Sequence, residues 1–399
     1  MPVGLSDGGP RSPKLSRGEK RCTCGRKRCD SGLSHGDKRS RTTNHKLLLS
    51  NSCIALPHAV FCLTAEPVGD IQEEDLLKKR AMREGDAAHG VHQLVLVHGH
   101  ERARQMVPEK QRLLVDIAAE VMADERQKIG ISYTGFCLTS LPHKRLPDDL
   151  AWQKHGHKVT LLVEPGRLKT TRGEIKLYGV PYGARARMIL LYLQTQAVRT
   201  SSPQVALGRS MRNWMERMGL AVGGETARSL REQSARISAC TLKFFWEDDE
   251  DNARGFKRGA IVDSGLQFAA GDGVQGTLWE DQVTLDPVFY KALRDHPVPL
   301  QEAAIRQLRD RSMSLDLYVW LAWRLHTLTK LTPISWTAVH TQFGAGFDKL
   351  FHFKPRFTEA LAAAVAAYPE ARVEIDEKGV ILHPSRPPIA RLTPALLAG

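Results

Sequence analysis

From Tyr182 onward, one order of local signals runs twice along the chain. In YGARARMILLYLQTQAVRT, Met188, Leu191, Tyr192, Gln194 and Ala197 recur at helical spacing, and Ser202-Pro203 then breaks the pattern. Gln204 to Leu207 reads as a short extended piece, and Gly208 breaks the chain again. Ser210 can cap a helix over SMRNWMERMGL, which Gly219 stops before the Gly223-Gly224 turn. The segment ETARSLREQSARISAC is a third helix with Leu230, Ile237 and Cys240 for the core. Two β-type runs follow, TLKFFWE and GAIVDSGLQFA, separated by the charged DDEDNARGFKR.

The second pass begins at Ser312. In SMSLDLYVWLAWRLHTLTKL, Leu317, Val319, Trp320, Ala322, Trp323 and Leu325 make another buried helix, broken at Thr332-Pro333. Ile334-Ser335-Trp336 is the short extended piece, and Ser335 caps TAVHTQF. Gly344 and Gly346 make the turn, and KPRFTEALAAAVAAY is read as a helix with Pro355 in its first turn. ARVEID and GVILHP then form a hairpin around Glu377-Lys378-Gly379.

Long helix, short strand, helix, turn, helix and hairpin is the order of a winged helix-turn-helix. In that arrangement the third helix fits the DNA major groove and the hairpin wing lies along the backbone. The expected fold is therefore α+β, with tandem winged-helix domains at 151–285 and 286–390 and a C-terminal tail at 391–399. The alternative is two α+β cores without a DNA role. Trp214, Trp320, Trp323 and Trp336 are expected to dominate the cores, since aromatics bury the largest areas.

Charge favours the DNA reading. The 399 residues carry a formal net charge of +13, which suits a polyanionic partner. In the first module, Arg228, Arg231, Gln233 and Arg236 lie on the third helix, where Arg can read guanine and Gln adenine. Arg209 and Arg212 open the preceding helix and are better placed for phosphates. In the second module, Lys349, Lys354 and Arg356 cluster where groove entry is expected. Any one of these can equally be a solvated surface charge.

Residues 1–90 read as a basic, disordered tail, with too little apolar surface in the first fifty to offset ordering entropy. Cys22, Cys24, Cys29 and His35 lie close together there. Their spacing is not that of a usual zinc knuckle, so a reduced tail without metal is the preferred reading. A start at Met82 would make the upstream stretch no part of the natural protein. Residues 91–150 are a helical segment in which Leu113, Leu114, Ile117, Ala118 and Val121 recur at helical spacing, for core packing or dimerisation. Seven cysteines, an odd number, do not form a disulfide framework and fit a reducing cytoplasm. No apolar run is long enough to span a bilayer.

Several blocks resemble the plasmid-encoded RepA replication initiators. They are YGVPYGARARMILLYLQTQAVRT (178–200), VALGRSMRNWMERMGL (205–220), LREQSARISAC (230–240), LWEDQVTLDPVFY (278–290), HPVPLQEAAIRQL (296–308), SLDLYVWLAWRL (314–325), PISWTAVHTQFGA (333–345) and YPEARVEIDEKGVILHPSRPP (368–388). The resemblance implies binding to repeated double-stranded sites at a plasmid origin and opening of an adjacent AT-rich region. It implies recruitment of the host initiator and replicative helicase, repression of the protein's own gene, and exchange between monomer and homodimer. It supplies no catalytic residue and no cofactor, and the chain is expected not to be an enzyme.

Two rivals stay open. A winged-helix transcriptional repressor would share the same fold. A rolling-circle nicking endonuclease would use a His-hydrophobic-His metal pair. His98-Gly99-His100 and His155-Gly156-His157 follow or precede apolar runs, but glycine between the histidines favours a turn. No phosphate-binding Gly-x4-Gly-Lys-Ser/Thr stretch is present, which argues against an ATP-driven motor.

Overall fold

The computed structural model describes residues 87–156, 158–170, 173–246, 255–264 and 282–389, all within one compact unit, Val68–Gly399. The cysteine-rich tail, Met82, His157 and the acidic stretch 247–251 lie outside the described residues. Helices α1 (Ala87–His98), α2 (His100–Met106) and α3 (Glu109–Met122) come first. Strand β1 (Ile129–Tyr133), the one-turn α4 (Thr134–Leu138), β2 (Trp152–Gly156), β3 (Val159–Glu164), β4 (Gly166–Lys169) and β5 (Ile175–Tyr178) follow.

The first module is α5 (Gly183–Arg199), β6 (Gln204–Ala206), α6 (Met211–Arg217), α7 (Gly224–Ala239), β7 (Thr241–Trp246), β8 (Gly255–Ala260), β9 (Val262–Ser264) and β10 (Gln282–Leu285). Then α8 (Pro287–Asp295), β11 (Pro297–Gln301) and α9 (Glu302–Gln307) lead to the second. That module is α10 (Ser312–Arg324), β12 (Thr332–Ser335), α11 (Trp336–Phe343), α12 (Leu350–Ala366), β13 (Val373–Ile375) and β14 (Gly379–Leu382). The chain is thus a mixed helix-and-sheet, α+β protein.

Local chemistry explains the helix starts. The Ser210 side chain accepts from the Asn213 amide at 3.2 Å and caps α6. Ser335 does the same for α11 through the Ala338 amide at 3.3 Å. Gly219 closes α6 at φ +67°, where a side chain would be strained. Helix α12 begins at Leu350, so Pro355 lies inside it and not in its first turn as expected. Its missing N–H leaves only the Phe351 carbonyl without a helical donor, near an exposed end of the helix.

The two modules share one sheet order. Strands run β6-β10-β9 in the first and β12-β14-β13 in the second, so each short strand pairs with the last strand of its module. This corrects the expected wing of the first module. TLKFFW and the strand after it do pair as β7 and β8, but they join β2 and β3 in a four-stranded sheet. The alternation of β3, with Val159, Leu161 and Val163 buried, offers β7 a ready partner. The counterpart of β13–β14 is β9–β10, whose connection lies outside the described residues.

Between the modules lies a pairing that the sequence patterns did not suggest. Strand β1 runs antiparallel to β11, from Ile129 opposite Gln301 to Tyr133 opposite Pro297. Buried polar side chains of the two long helices complete this ribbon. Thr195 and Gln194 of α5 accept from the amides of Ile131 (2.8 Å) and Tyr133 (2.7 Å). The Tyr318 hydroxyl of α10 accepts from the Gln301 amide at 2.9 Å. Strand amides that a third strand would otherwise take are satisfied from both sides.

The core runs through both modules. Trp214, Trp320 and Trp336 are buried, and Trp323 packs at its edge. In α3, Leu114, Ile117, Ala118 and Val121 are buried, and the helix packs on α1, α9 and α12. Leu113 stays partly exposed. Among the described residues no helix is long and apolar enough to cross a membrane.

Candidate nucleic-acid interface

The cations expected to meet DNA divide into two groups. Arg209 is exposed just before α6. Arg212 is exposed and pairs with Glu216 at 3.0 Å. Arg228 is exposed on the first half of α7, and Arg231, one turn on, is half-buried. These four are on or near the α6–α7 surface.

Gln233 and Arg236 are not. Both are buried, and the expectation that they read bases is corrected. The Gln233 carbonyl oxygen accepts from the Tyr182 amide at 2.9 Å. Arg236 donates from Nη2 to Asp148 at 2.8 Å, from Nε to Glu232 at 3.1 Å and from Nη1 to the Val180 carbonyl at 3.3 Å. Its guanidinium also lies 5.2 Å from the Tyr182 ring centroid. A guanidinium with these partners has no free fork to offer a guanine. Burial pushes the Asp148 carboxyl up, but Arg236 and Arg145 outweigh it, and the net shift is downward.

In the second module Lys349 is exposed at the start of α12. Arg356 is exposed and 3.4 Å from Glu359. Lys354 is half-buried, with its ammonium 4.8 Å from the Trp336 ring centroid. It fastens α12 to α11 as well as adding charge.

The loop after α4 was missed by sequence reasoning. Lys144 and Arg145 are exposed there, between Pro142 and Pro147. Arg145 reaches Asp148 at 3.1 Å and Glu232 of α7 at 3.9 Å. On the other side, Lys144, Trp152, Arg311, Phe347 and Arg356 line one open groove of about 580 Å³. The loop therefore links the surroundings of α7 to those of α12. The run His-Lys-Arg flanked by prolines was the available signal.

Beneath this loop the modules are clamped by buried charge. Arg187 of α5 donates from Nε and Nη2 to the two carboxylate oxygens of Asp316 of α10, each at 2.6 Å. The same Nη2 donates to the Leu141 carbonyl at 2.7 Å. Lys154 of β2 donates to the Thr341 carbonyl of α11 at 2.9 Å. Burial brings its ammonium down to about 8, with Asp316 acting in the other direction. His143 lies beside this clamp, 3.0 Å from the Ser312 hydroxyl. Burial, reinforced by Arg187, pushes its imidazole down to about 4.

The histidine pairs have other surroundings than a metal-binding strand. The apolar run before His98 belongs to helix α1, and His100 starts α2 after Gly99. His100 instead lies 2.7 Å from Asp116. His155 is on β2, 3.0 Å from the Thr160 hydroxyl. Among the described residues no group of three or more His, Cys, Asp or Glu side chains is placed to hold a metal ion.

Residues 180–337 match the family model described as plasmid encoded RepA protein. Over that span, somewhat under half of its length, the chain is similar to the plasmid-encoded RepA proteins. The RepA span runs from just before α5 through the first module and into the start of α11. Solved structures of domains 2 and 3 of RctB are similar at low score. One, of selenomethionine derivatives, gives a TM-score of 0.43 at 12% identity, covering 65% of this chain and 99% of that one. Another, RctB 155–483, gives 0.39 at 11% identity, covering 62% and 93%. No curated protein matches the sequence.

Proposed function

We propose that this protein is a plasmid replication initiator that binds double-stranded DNA at its origin through two winged helix-turn-helix modules. The observation that carries this reading is the RepA match across α5 to β12, the part of the chain that contains the first module entire. The repeated sheet order supports it, because a third strand beside the first is what a helix-turn-helix with a wing requires. On this reading α7 and α12 enter the major groove, with Arg228 and Arg231 nearest the bases. Arg209, Arg212, Lys349 and Arg356 meet phosphates, and Lys144 and Arg145 lie between the modules.

The protein acts by binding, without catalysis and without a cofactor. Its sites are repeats beside an AT-rich region, its further partners are the host initiator and replicative helicase, and it represses its own gene. It works in the cytoplasm, and a homodimer is its alternative form.

The test is a footprint of the purified protein on the DNA flanking its own gene, at two salt concentrations. Regularly spaced protected repeats beside an AT-rich stretch are expected. A single protected site over the promoter would instead mark a repressor. Only salt-sensitive smearing would remove the sequence-specific reading altogether.

A further inference from the structure

Beside α7 stands an element that belongs to neither module's three-stranded sheet. Among the described residues, strands β4 and β5 pair only with each other, from Gly166 opposite Tyr178 to Lys169 opposite Ile175. A two-stranded ribbon of this length is at best marginally stable in water, so something must hold it. Its base is held by the last turn of α7. Gly166 approaches so closely that an added Cβ would collide with the Ala239 carbonyl. At the other strand's end, Gly179 packs against Asp148 and Arg236, and its carbonyl accepts from the Cys240 thiol at 3.5 Å.

Beyond that base the ribbon is open to solvent and basic. Arg167, Lys169 and Lys176 are exposed, with exposed Glu174 just before β5. Arg212 and Arg356 are neutralised by Glu216 and Glu359, but no carboxylate among the described residues pairs with these three cations. Lys176 leans on the Tyr178 ring at 5.3 Å. Strand alternation puts Arg167 and Lys169 on one face, together with Ile175, which is 73% exposed, and Lys176, opposite Leu168, on the other. Two residues apart on a strand, Arg167 and Lys169 stand about 6.8 Å from each other, a reach that spans neighbouring phosphates of one DNA strand.

The position beside α7 decides what such a ribbon would meet. The 16 residues of α7 extend about 24 Å, whereas the major groove is about 12 Å wide. A helix that enters by its N-terminal half leaves its last turn outside the groove, over the sugar-phosphate backbone. The ribbon is attached at that turn. We propose that β4–β5 is a further DNA-binding arm, which lays Arg167 and Lys169 on duplex phosphates flanking the groove that α7 reads. The proposal rests on the duplex-binding function above.

The experiment compares the full-length protein with the variant R167Q/K169Q. Binding to a random-sequence duplex and to the DNA flanking its own gene is measured by fluorescence anisotropy across a salt series. Loss of two phosphate contacts should make the slope of log K against log salt shallower by about 1.8, equally on both duplexes. The single variants R167Q and K169Q should each remove about 0.9, which protects the result if the double variant unfolds at a lower temperature. Wild-type affinity and slope in these variants, with the wild-type protein binding normally, would overturn the arm alone. A loss confined to the gene-flanking duplex, with an unchanged slope, would also overturn it, by marking sequence reading. If the wild-type protein shows no salt-dependent duplex binding, the underlying function falls and the arm with it.

Discussion

Helix α7 turns Ala227, Leu230, Gln233, Ser234, Arg236 and Ile237 inward, whereas α12 buries Phe353, Phe357, Leu361 and an alanine-rich last turn. The two helices hold the same place in the same order of elements, but opposite chemistry fastens them. Around α7 the contacts are charged: Arg236 to Asp148 and Glu232, with Arg145 on the same two acids. Around α12 they are aromatic, with Phe357 within 6 Å of Trp336, Phe343 and Phe353, ring centre to ring centre. Directional hydrogen bonds fix the roll of a helix, while close packing fixes its depth and resists salt. The first module should therefore lose its helix to a single charge change. The second should lose it only to a cavity.

The sharpest way to break that contrast is Phe357→Ala. The ring is fully buried, so the variant should lose about 3–5 kcal/mol in urea unfolding, with little dependence on salt. A loss below 1 kcal/mol would mean that the aromatic cluster does not hold α12. Next in size is Arg236→Met, which leaves Asp148 and Glu232 with Arg145 as their remaining cation. Removing one partner of a buried pair costs about 3–5 kcal/mol, and the partial exposure of Asp148 and Glu232 puts this case at or below the low end. The lowered Asp148 carboxyl contributes stability above its unfolded value and gives it up as pH falls through the folded one. The gap between wild type and variant should therefore narrow in acid. A variant with wild-type stability and altered sequence preference would return Arg236 to the DNA surface.

These two residues also mark how far the sequence could be read. Helix order was legible because capping serines, proline breaks and glycine turns act within a few residues of each other. Phe357 lies in a segment already read as a helix, but the burial of Phe353 and Phe357, one turn apart, comes from the structure. The inward turn of Arg236 was not legible, because its partner Asp148 lies 88 residues away. An arginine on a helix with glutamate one turn before it looks solvated until the distant acid is known. Strand β1 was missed for a similar reason: its partner β11 contains Pro297 and Pro299, which lower any strand reading, and its other edge is closed by side chains. The hairpin expected as the wing of the first module does form as β7 and β8, but pairing with β3 assigns it to another sheet.

Between the two fastenings lies the clamp, and its pH dependence follows from His143. The imidazole is held neutral by burial and by Arg187, with Asp316 opposing and Lys154 adding to the effect. With a folded value near 4 against 6.5 for the free group, the unfolded chain binds more protons between these limits. Stability should therefore fall as pH drops from 6.5 towards 4, by at most about 3 kcal/mol from this group. His143→Gln keeps a polar side chain beside Ser312 and should flatten that part of the profile in urea unfolding. An unchanged profile would remove His143 from the linkage and leave the carboxylates to explain acid sensitivity.

The smallest expected effect probes the one charge that takes part in the aromatic fastening. Lys354 stands over Trp336, an attraction worth about 0.5–1 kcal/mol at a partly exposed site. Lys354→Met keeps the stem packed and removes the ammonium, so stability should fall by that amount and no more. If Lys354 also meets a phosphate, the same variant should make the salt slope of duplex binding shallower by about 0.9. The two readings separate cleanly, because the ring contact exists without DNA and the phosphate contact does not. A stability loss with an unchanged slope makes Lys354 a fastener of α12, and the module then has one DNA-facing cation fewer than its sequence suggests. A changed slope with unchanged stability makes the ring contact incidental, and α12 is then held by apolar packing alone.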